Sequence, residues 1–172
     1  ECESWFGQTI HVRKSDKYDS PIDVYKRTRF LNGVTGARCT MELKRKVRWG
    51  VEDELISWDA QIFGFDISEK KRLKRFKEQY PKAKAIAPLI TKGLGKSDCL
   101  AILQKAGIEL PMMYRLGFHN NNCIGCVKGG KGYWCAIRKH FPDTFKRMAE
   151  IEREIGHSCI KDCFLDELGE YD

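Results

Sequence analysis

Two cysteines separated by two residues form the most specific chemical pattern in this sequence. The run Asn-Cys-Ile-Gly-Cys-Val-Lys at 122–128 places Cys123 and Cys126 on a turn that contains Gly125. Such a turn can aim two sulfur atoms at one point, and thiolates are the preferred ligands of zinc and of iron–sulfur clusters. A redox-active dithiol and a pair of ordinary reduced cysteines remain alternatives. A complete metal site needs further ligands, for which the candidates are Cys39, Cys135, Cys159, Cys163, His119 and His157.

A second segment has the composition of an anion-binding site. Gly36 precedes a predicted basic helix that carries Arg38, Thr40 and Lys44 in its first turns. A guanidinium, a hydroxyl, an ammonium group and the free backbone N–H groups of a helix start can together bind phosphate or sulfate. The alternative is an amphipathic basic helix that packs on a sheet.

The elements that must position these residues follow from hydrophobic periodicity and from capping residues. Strands are predicted over 9–13 and within 56–65, and a short buried segment over 85–90. Because strands alternate with helices, the pattern indicates an α/β fold with a largely parallel sheet flanked by helices, in one domain spanning 1–172. Helices are predicted from Ser20 to the glycines at 33 and 36, over 38–49, over 68–80, over 97–106, over 111–116 and over 142–155, and a loop over 120–132.

Composition and charge limit the classes of protein that this chain can represent. The 172 residues are 42% hydrophobic and carry a net charge of +7, without an apolar run of the ~20 residues that a membrane span needs. Eight cysteines, about 5% of the chain, fall below the ~8–10% typical of disulfide scaffolds, so we expect a reducing, cytoplasmic setting. Basic stretches over 13–48 and 70–96 favour a polyanionic partner, either nucleotide phosphates or a nucleic acid. For residues 70–77, the solvated face of a helix is the simpler interpretation.

Several of these segments, in this order, resemble the phosphoadenosine phosphosulfate (PAPS) reductase family of the PP-loop ATP pyrophosphatase superfamily. The similarity is strongest to the phage- and bacterium-encoded reductase-like members, and it extends over residues 36–155. The Arg-Cys-Thr segment and the Asn-Asn-Cys-x-x-Cys-Val-Lys run are specific as a pair. The matching pieces are Gly36-Ala37-Arg38-Cys39-Thr40 with Leu43-Lys44, Phe63-Gly64-Phe65-Asp66 with Glu69 and Arg72, Pro88-Leu89-Ile90, Pro111-Met112-Met113-Tyr114 with Gly117-Phe118, and residues 121–129 continuing to Trp134.

The resemblance implies an adenine nucleotide alpha hydrolase-like fold that is incomplete at its N-terminus. The family's Ser-Gly-Gly-x-Asp-Ser phosphate loop does not occur in these residues, and neither does the Glu-Cys-Gly-x-His ending of true sulfonucleotide reductases. Glu1 is expected to start after the position of that loop.

The resemblance also implies a ligand set. It places Arg38, Thr40 and Lys44 near ATP or a sulfonucleotide, and we add Lys128 as a cation of the neighbouring loop. It brings Cys39, Cys123 and Cys126 together around zinc or an iron–sulfur cluster. Cys135 is assigned as the fourth ligand because it lies nearby in the sequence.

Three functions follow as hypotheses. The first is a PAPS reductase-like protein that handles an adenine nucleotide or sulfonucleotide, acting as an oxidoreductase or transferase through a cysteine-rich metal site. The second is a catalytically inactive phage or mobile-element module that binds a nucleic acid or a protein. The third is an ATP-dependent RNA-base sulfur transferase.

Overall fold

Ten α-helices and one two-stranded parallel sheet make up the described part of the chain, residues 2–54 and 59–169, in the computed structural model. The chain divides into two compact units, Glu54–Leu110 and the combination of Cys2–Asp53 with Pro111–Asp172. The helices are α1 (Cys2–Phe6), α2 (Pro21–Thr28), α3 (Arg38–Thr40), α4 (Lys46–Glu54), α5 (Lys70–Gln79), α6 (Pro88–Thr91), α7 (Lys96–Lys105), α8 (Met112–Arg115), α9 (Lys131–His140) and α10 (Pro142–Ile155), and the strands are β1 (Gln61–Ile62) and β2 (Ala85–Ile86).

The smaller unit contains the parallel sheet. Strand β1 pairs with β2 so that Gln61 lies opposite Ala85. The ring of Phe63, just after β1, lies 5.1 Å from that of Phe65 and 4.6 Å from that of Phe76 on α5. The α/β class is therefore present in its coarse form, as helices with a parallel sheet. The predicted strand within 56–65 is observed only as β1, and its residues 56–58 lie outside the described residues.

The larger unit is helical and contains the main hydrophobic core. Trp134 and Ile137 of α9 have no exposed surface, and they share the core with Leu31, Val127 and other buried residues from α8, α10 and the C-terminal loop. Burying one such side chain contributes about 1.5–3 kcal/mol. The core therefore ties the segment around residue 31 to residues 113–168, although they are distant in the sequence.

Several predicted elements are confirmed, and their caps explain why. Ser20 caps α2 by accepting the Asp23 N–H at 3.1 Å, and Pro21 occupies the first turn. Helix α10 has the predicted bounds and ends at Gly156, whose φ of 76° lies in the left-handed region.

Other predictions were wrong. Residues 9–13 form no strand, and both Ile10 and Val12 are exposed, so pairing would bury no apolar surface there. Helix α9 replaces the end of the predicted loop over 120–132, because burial of Trp134 offsets the roughly 1 kcal/mol cost of Gly132 inside a helix. Helix α2 ends at Thr28, before the glycines that were expected to end it.

The basic helix predicted over 38–49 is continuous from Arg38 to Glu54, but its middle is π-helical. Helix α3 passes into a π-helical segment, Met41–Arg45, and then into α4. Glu42 in this segment is only 3% exposed, and its carboxylate contacts Arg38 Nε at 3.2 Å and Lys46 Nζ at 2.8 Å. Because π-helical turns are rare and often occur at functional sites, this segment and its neighbour Cys39 require closer description.

Candidate functional site

The Cys-x-x-Cys turn is held by one tyrosine. The hydroxyl of Tyr133, on α9, accepts the Cys126 N–H at 2.8 Å and donates to the Cys123 carbonyl at 2.6 Å. Burial, the largest cause, raises the pKa of Tyr133 to about 12, so the hydroxyl remains a donor at neutral pH. Tyr133 therefore fixes the backbone at both cysteines.

Two glycines make this turn sterically possible. Gly125 has a φ of +78°, and a Cβ there would stand 2.9 Å from Cγ2 of Thr144. A Cβ on Gly129 would stand 1.9 Å from Cδ1 of Tyr133, so the ring reaches the turn only because residue 129 has no side chain. Gly125 is therefore needed for its backbone conformation, and Gly129 is needed because the Tyr133 ring approaches it closely.

Cys126 is the half-buried cysteine of this turn. Burial, the largest cause, raises the pKa of the Cys126 thiol, and negative charge on Cys123 and on Cys39 raises it further. The backbone N–H and the ammonium group of Lys128 act in the opposite direction and favour the thiolate. The Arg-Cys-Thr segment lies near this turn, because Cys39 packs against the buried core that contains Val127, the residue after Cys126.

Tyr25, on α2, lies where these segments meet. Its side chain is 2% exposed, and its hydroxyl donates to Sγ of Cys39 at 3.2 Å. Burial raises the pKa of Tyr25 strongly, and the hydrogen bond and charge of Cys39 and the charges of Cys126 and Cys159 raise it further. The buried hydroxyl of Tyr25 therefore contacts the Cys39 thiol, and Cys159 belongs to the same buried core as Tyr25.

Cys159 is a buried member of this core. Cys159 is 8% exposed, and burial, followed by the charge and hydrogen bonding of Glu152 and the charge of Cys126, raises its pKa. The sequence offered Cys159 only as one of several candidate ligands. Cys135, the predicted fourth ligand, lies half-buried on α9, with Sγ 4.0 Å from Nη2 of Arg138.

The predicted anion-binding residues lie in the same unit, with different surroundings. Arg38 lines an open cleft of about 430 Å³ together with Gly36 and Thr28, although its guanidinium also pairs with Glu42. Thr40 follows Cys39 on α3 and is half-buried, whereas the side chains of Lys44 and Lys128 are exposed. Part of the Arg38 charge is thus already compensated by a buried carboxylate.

Four residues of this region were missed by sequence reasoning, namely Tyr25, Asn32, Tyr133 and Glu152. Only Glu152 left a signal, because it lies on the apolar stripe of α10, four residues after Met148 and three before Ile155. An acidic residue on a buried stripe indicates a required hydrogen-bond acceptor. Tyr25, Asn32 and Tyr133 have sequence surroundings like those of ordinary helix and loop residues.

Within residues 2–54 and 59–169, no group of three or more His, Cys, Asp or Glu side chains stands in an arrangement that would hold a metal ion. None of the helices in residues 2–54 and 59–169 has both the length and the apolar composition needed to cross a bilayer. Comparison of the chain with protein-family models, curated proteins and solved structures gave no match.

Proposed function

We propose that this chain is a PAPS reductase-like protein that handles an adenine nucleotide or sulfonucleotide, with a cysteine site for zinc or an iron–sulfur cluster. The observation that carries the proposal is the packing of Cys39, hydrogen-bonded by Tyr25, against the buried core that contains Val127, the residue after Cys126. The proposal includes the adenine nucleotide alpha hydrolase-like fold, for which the parallel pairing of β1 and β2 is a partial support.

The thiols suit such a group by their chemistry, although no three of them stand in a metal-holding arrangement among the described residues. Soft thiolate ligands select zinc and iron–sulfur clusters over hard cations. Negative charges on Cys39 and Cys123 disfavour ionisation of Cys126, and a bound cation would remove this repulsion. Binding requires the thiol side chains to turn toward a common centre and to release their protons. When bound, zinc would cross-link the segments, and a cluster would supply electron transfer.

The nucleotide part of the proposal is supported by the surroundings of Cys39. Arg38, which precedes Cys39 in the sequence, lines a cleft together with Gly36. The exposed Lys128 follows Cys126 by two residues. Cationic groups on both sides of a thiol site suit a phosphate or sulfate substituent. In the proposed role, Arg38 and Lys128 bind the anion, and Tyr25 holds the Cys39 thiol by its hydrogen bond.

Metal analysis of anaerobically purified protein tests the cysteine site. We expect the wild-type chain to retain zinc, or iron with acid-labile sulfide, and the Cys126→Ser variant to lose it. The control is Cys99→Ser, because Cys99 lies on α7 in the other compact unit. A wild-type protein that stays metal-free after reconstitution with zinc and with iron and sulfide would refute the site.

Calorimetry tests the nucleotide part. We expect ATP, adenylyl sulfate or its 3′-phosphate to bind the wild-type protein, and Arg38→Ala to weaken that binding at least about tenfold, the loss of one charge-assisted contact. The control is Arg45→Ala, since Arg45 is an exposed cation of the adjoining π-helical segment. No heat with any of the three nucleotides would refute this part.

Nucleic-acid binding is a second candidate, favoured by the surface of α5. This helix carries six Lys or Arg side chains, all exposed, with Glu78 as its one acidic residue. Phosphate contacts of such a surface weaken steeply as salt rises. Fluorescence anisotropy with labelled RNA and DNA between about 50 and about 200 mM salt would show that dependence. The double variant Lys74→Glu with Arg75→Glu should abolish binding to both nucleic acids.

A further inference from the structure

We propose that Glu42 is the positioning residue of the anion-binding cleft, where it holds the Arg38 guanidinium so that the two terminal nitrogens bind the phosphate or sulfate group of the ligand. This inference rests on the proposed nucleotide function. Glu42 acts through Arg38 and does not itself touch the ligand. The burial of its carboxylate, its two cationic partners and the π-helical turn that contains it carry the inference.

The Glu42 carboxylate is a buried charge with a cation on each side. Glu42 is 3% exposed, and its carboxylate lies 3.2 Å from Nε of Arg38 and 2.8 Å from Nζ of Lys46. The hydrogen bond from Lys46, the largest cause, lowers the pKa of Glu42, and the charges of Lys46 and Arg38 lower it further against the effect of burial. Because the desolvation of a buried carboxylate cancels much of the attraction of its partners, fold stability is a weak reason for this arrangement.

The π-helical turn places this carboxylate beside the cleft. The Lys46 N–H bonds to the carbonyl of Met41, five residues earlier, so the turn contains one residue more than a turn of α-helix. Met41, the first residue of the turn, lines the cleft of about 430 Å³ together with Arg38. Glu42 follows a residue of the cleft wall directly, while its own side chain is buried. It therefore contacts Arg38 from the protein side.

Arg38 has the geometry to bind Glu42 and an anion at the same time. Its side chain is 48% exposed, and the contact with Glu42 is made by Nε. The two terminal nitrogens, Nη1 and Nη2, form the fork that binds two oxygens of one phosphate or sulfate group. Lys46 pairs with the same carboxylate, so the two cations exceed the one negative charge and the group still attracts an anion.

Calorimetric titration with ATP, adenylyl sulfate and its 3′-phosphate tests the role of Glu42. We expect Glu42→Gln, which keeps the volume of the side chain, to weaken binding about three- to tenfold, a part of the loss in Arg38→Ala. Removal of a negative charge beside an anion would by itself strengthen binding, so the sign of the change identifies the loss of positioning. Equal or tighter binding by Glu42→Gln would overturn the inference.

Two comparisons complete this titration. Glu52→Gln is the matched control, because Glu52 pairs with Nε of Arg48 at 2.9 Å on α4, and this substitution should leave binding unchanged. No heat from the wild-type protein with any of the three nucleotides would refute the proposed nucleotide function itself, and the role of Glu42 with it.

A double-mutant cycle separates positioning from support of the fold. In the Arg38→Ala protein, Glu42→Gln should cause no further loss of affinity, because the residue through which Glu42 acts is absent. If Glu42→Gln weakens binding by the same factor in both backgrounds, Glu42 only supports the fold and the positioning role is wrong.

A variant of the half-exposed Arg38 side chain covers the case in which Glu42→Gln does not fold. Arg38→Lys keeps the positive charge, but its single nitrogen cannot bind the buried carboxylate and the ligand together. We expect this variant to bind the three nucleotides as weakly as Arg38→Ala. Binding equal to that of the wild type would show that a point charge at position 38 is sufficient without the contact to Glu42, and would overturn the inference.

Discussion

Replacing Glu152 by glutamine isolates the energetic contribution of a single buried carboxylate. Its two oxygens accept the Cys159 N–H at 2.5 Å and the Leu165 N–H at 2.6 Å, and neither Glu152 nor Leu165 has exposed surface. Glutamine has one acceptor oxygen, so one of the two N–H groups would face an NH₂ group. A hydrogen bond to a charged acceptor contributes about 1.5–3 kcal/mol, and an unsatisfied buried N–H costs about 1–3 kcal/mol. Because a neutral amide is cheaper to bury than a carboxylate, part of this loss is offset.

We therefore expect Glu152→Gln to lower the free energy of unfolding by about 2–3 kcal/mol, measured by urea denaturation with far-ultraviolet circular dichroism. Glu150→Gln is the matched control, since Glu150 is exposed on the same helix and should change stability by no more than about 0.5 kcal/mol. If Glu152→Gln were as stable as Glu150→Gln, the two hydrogen bonds would contribute nothing and the argument for an ordered Cys159 segment would fail.

Three further outcomes follow from the same contacts. Tyr133→Phe removes both hydrogen bonds to the Cys-x-x-Cys turn and should cost about 1–2 kcal/mol in urea unfolding, and an unchanged midpoint would show that the turn holds without them. Gly125→Ala should lower the free energy of unfolding by about 1–3 kcal/mol, because φ is +78° and the new Cβ would meet Thr144 at 2.9 Å. The control Gly50→Ala, which has open space around it inside α4, should be neutral or stabilising. Equal effects of the two substitutions would contradict this explanation. Burial raises the pKa of Cys159, so above the usual thiol pKa of about 8.5 the unfolded chain loses this proton while the folded chain keeps it. The free energy of unfolding should therefore fall as pH rises from about 8 to 10, and it should fall less steeply in Cys159→Ser. Parallel curves for the two proteins would refute the raised pKa of Cys159.

Local rules predicted the elements whose signals lie within a few residues. The sequence correctly predicted the Ser20 cap with Pro21 at the start of α2 and the end of α10 at Gly156. Capping depends on a hydrogen bond or a backbone angle close to the residue itself. The Cys-x-x-Cys turn belongs to the same class. The wrong predictions, the strand over 9–13 and the loop in place of the start of α9, concern segments where burial against distant residues decides the outcome.

The donor chemistry of this protein follows from its residue types and their spacing: two thiols on one turn, a third in a basic segment, and an excess of positive charge. The long-range contacts depend on the packing of the whole chain, because Tyr25 donates to Cys39 and the Asn32 amide bonds the carbonyls of Val127 and Cys159, and neither residue leaves a periodic pattern in the chain. The Asn32 amide bonds backbone groups more than ninety residues away, and only the fold brings these groups together.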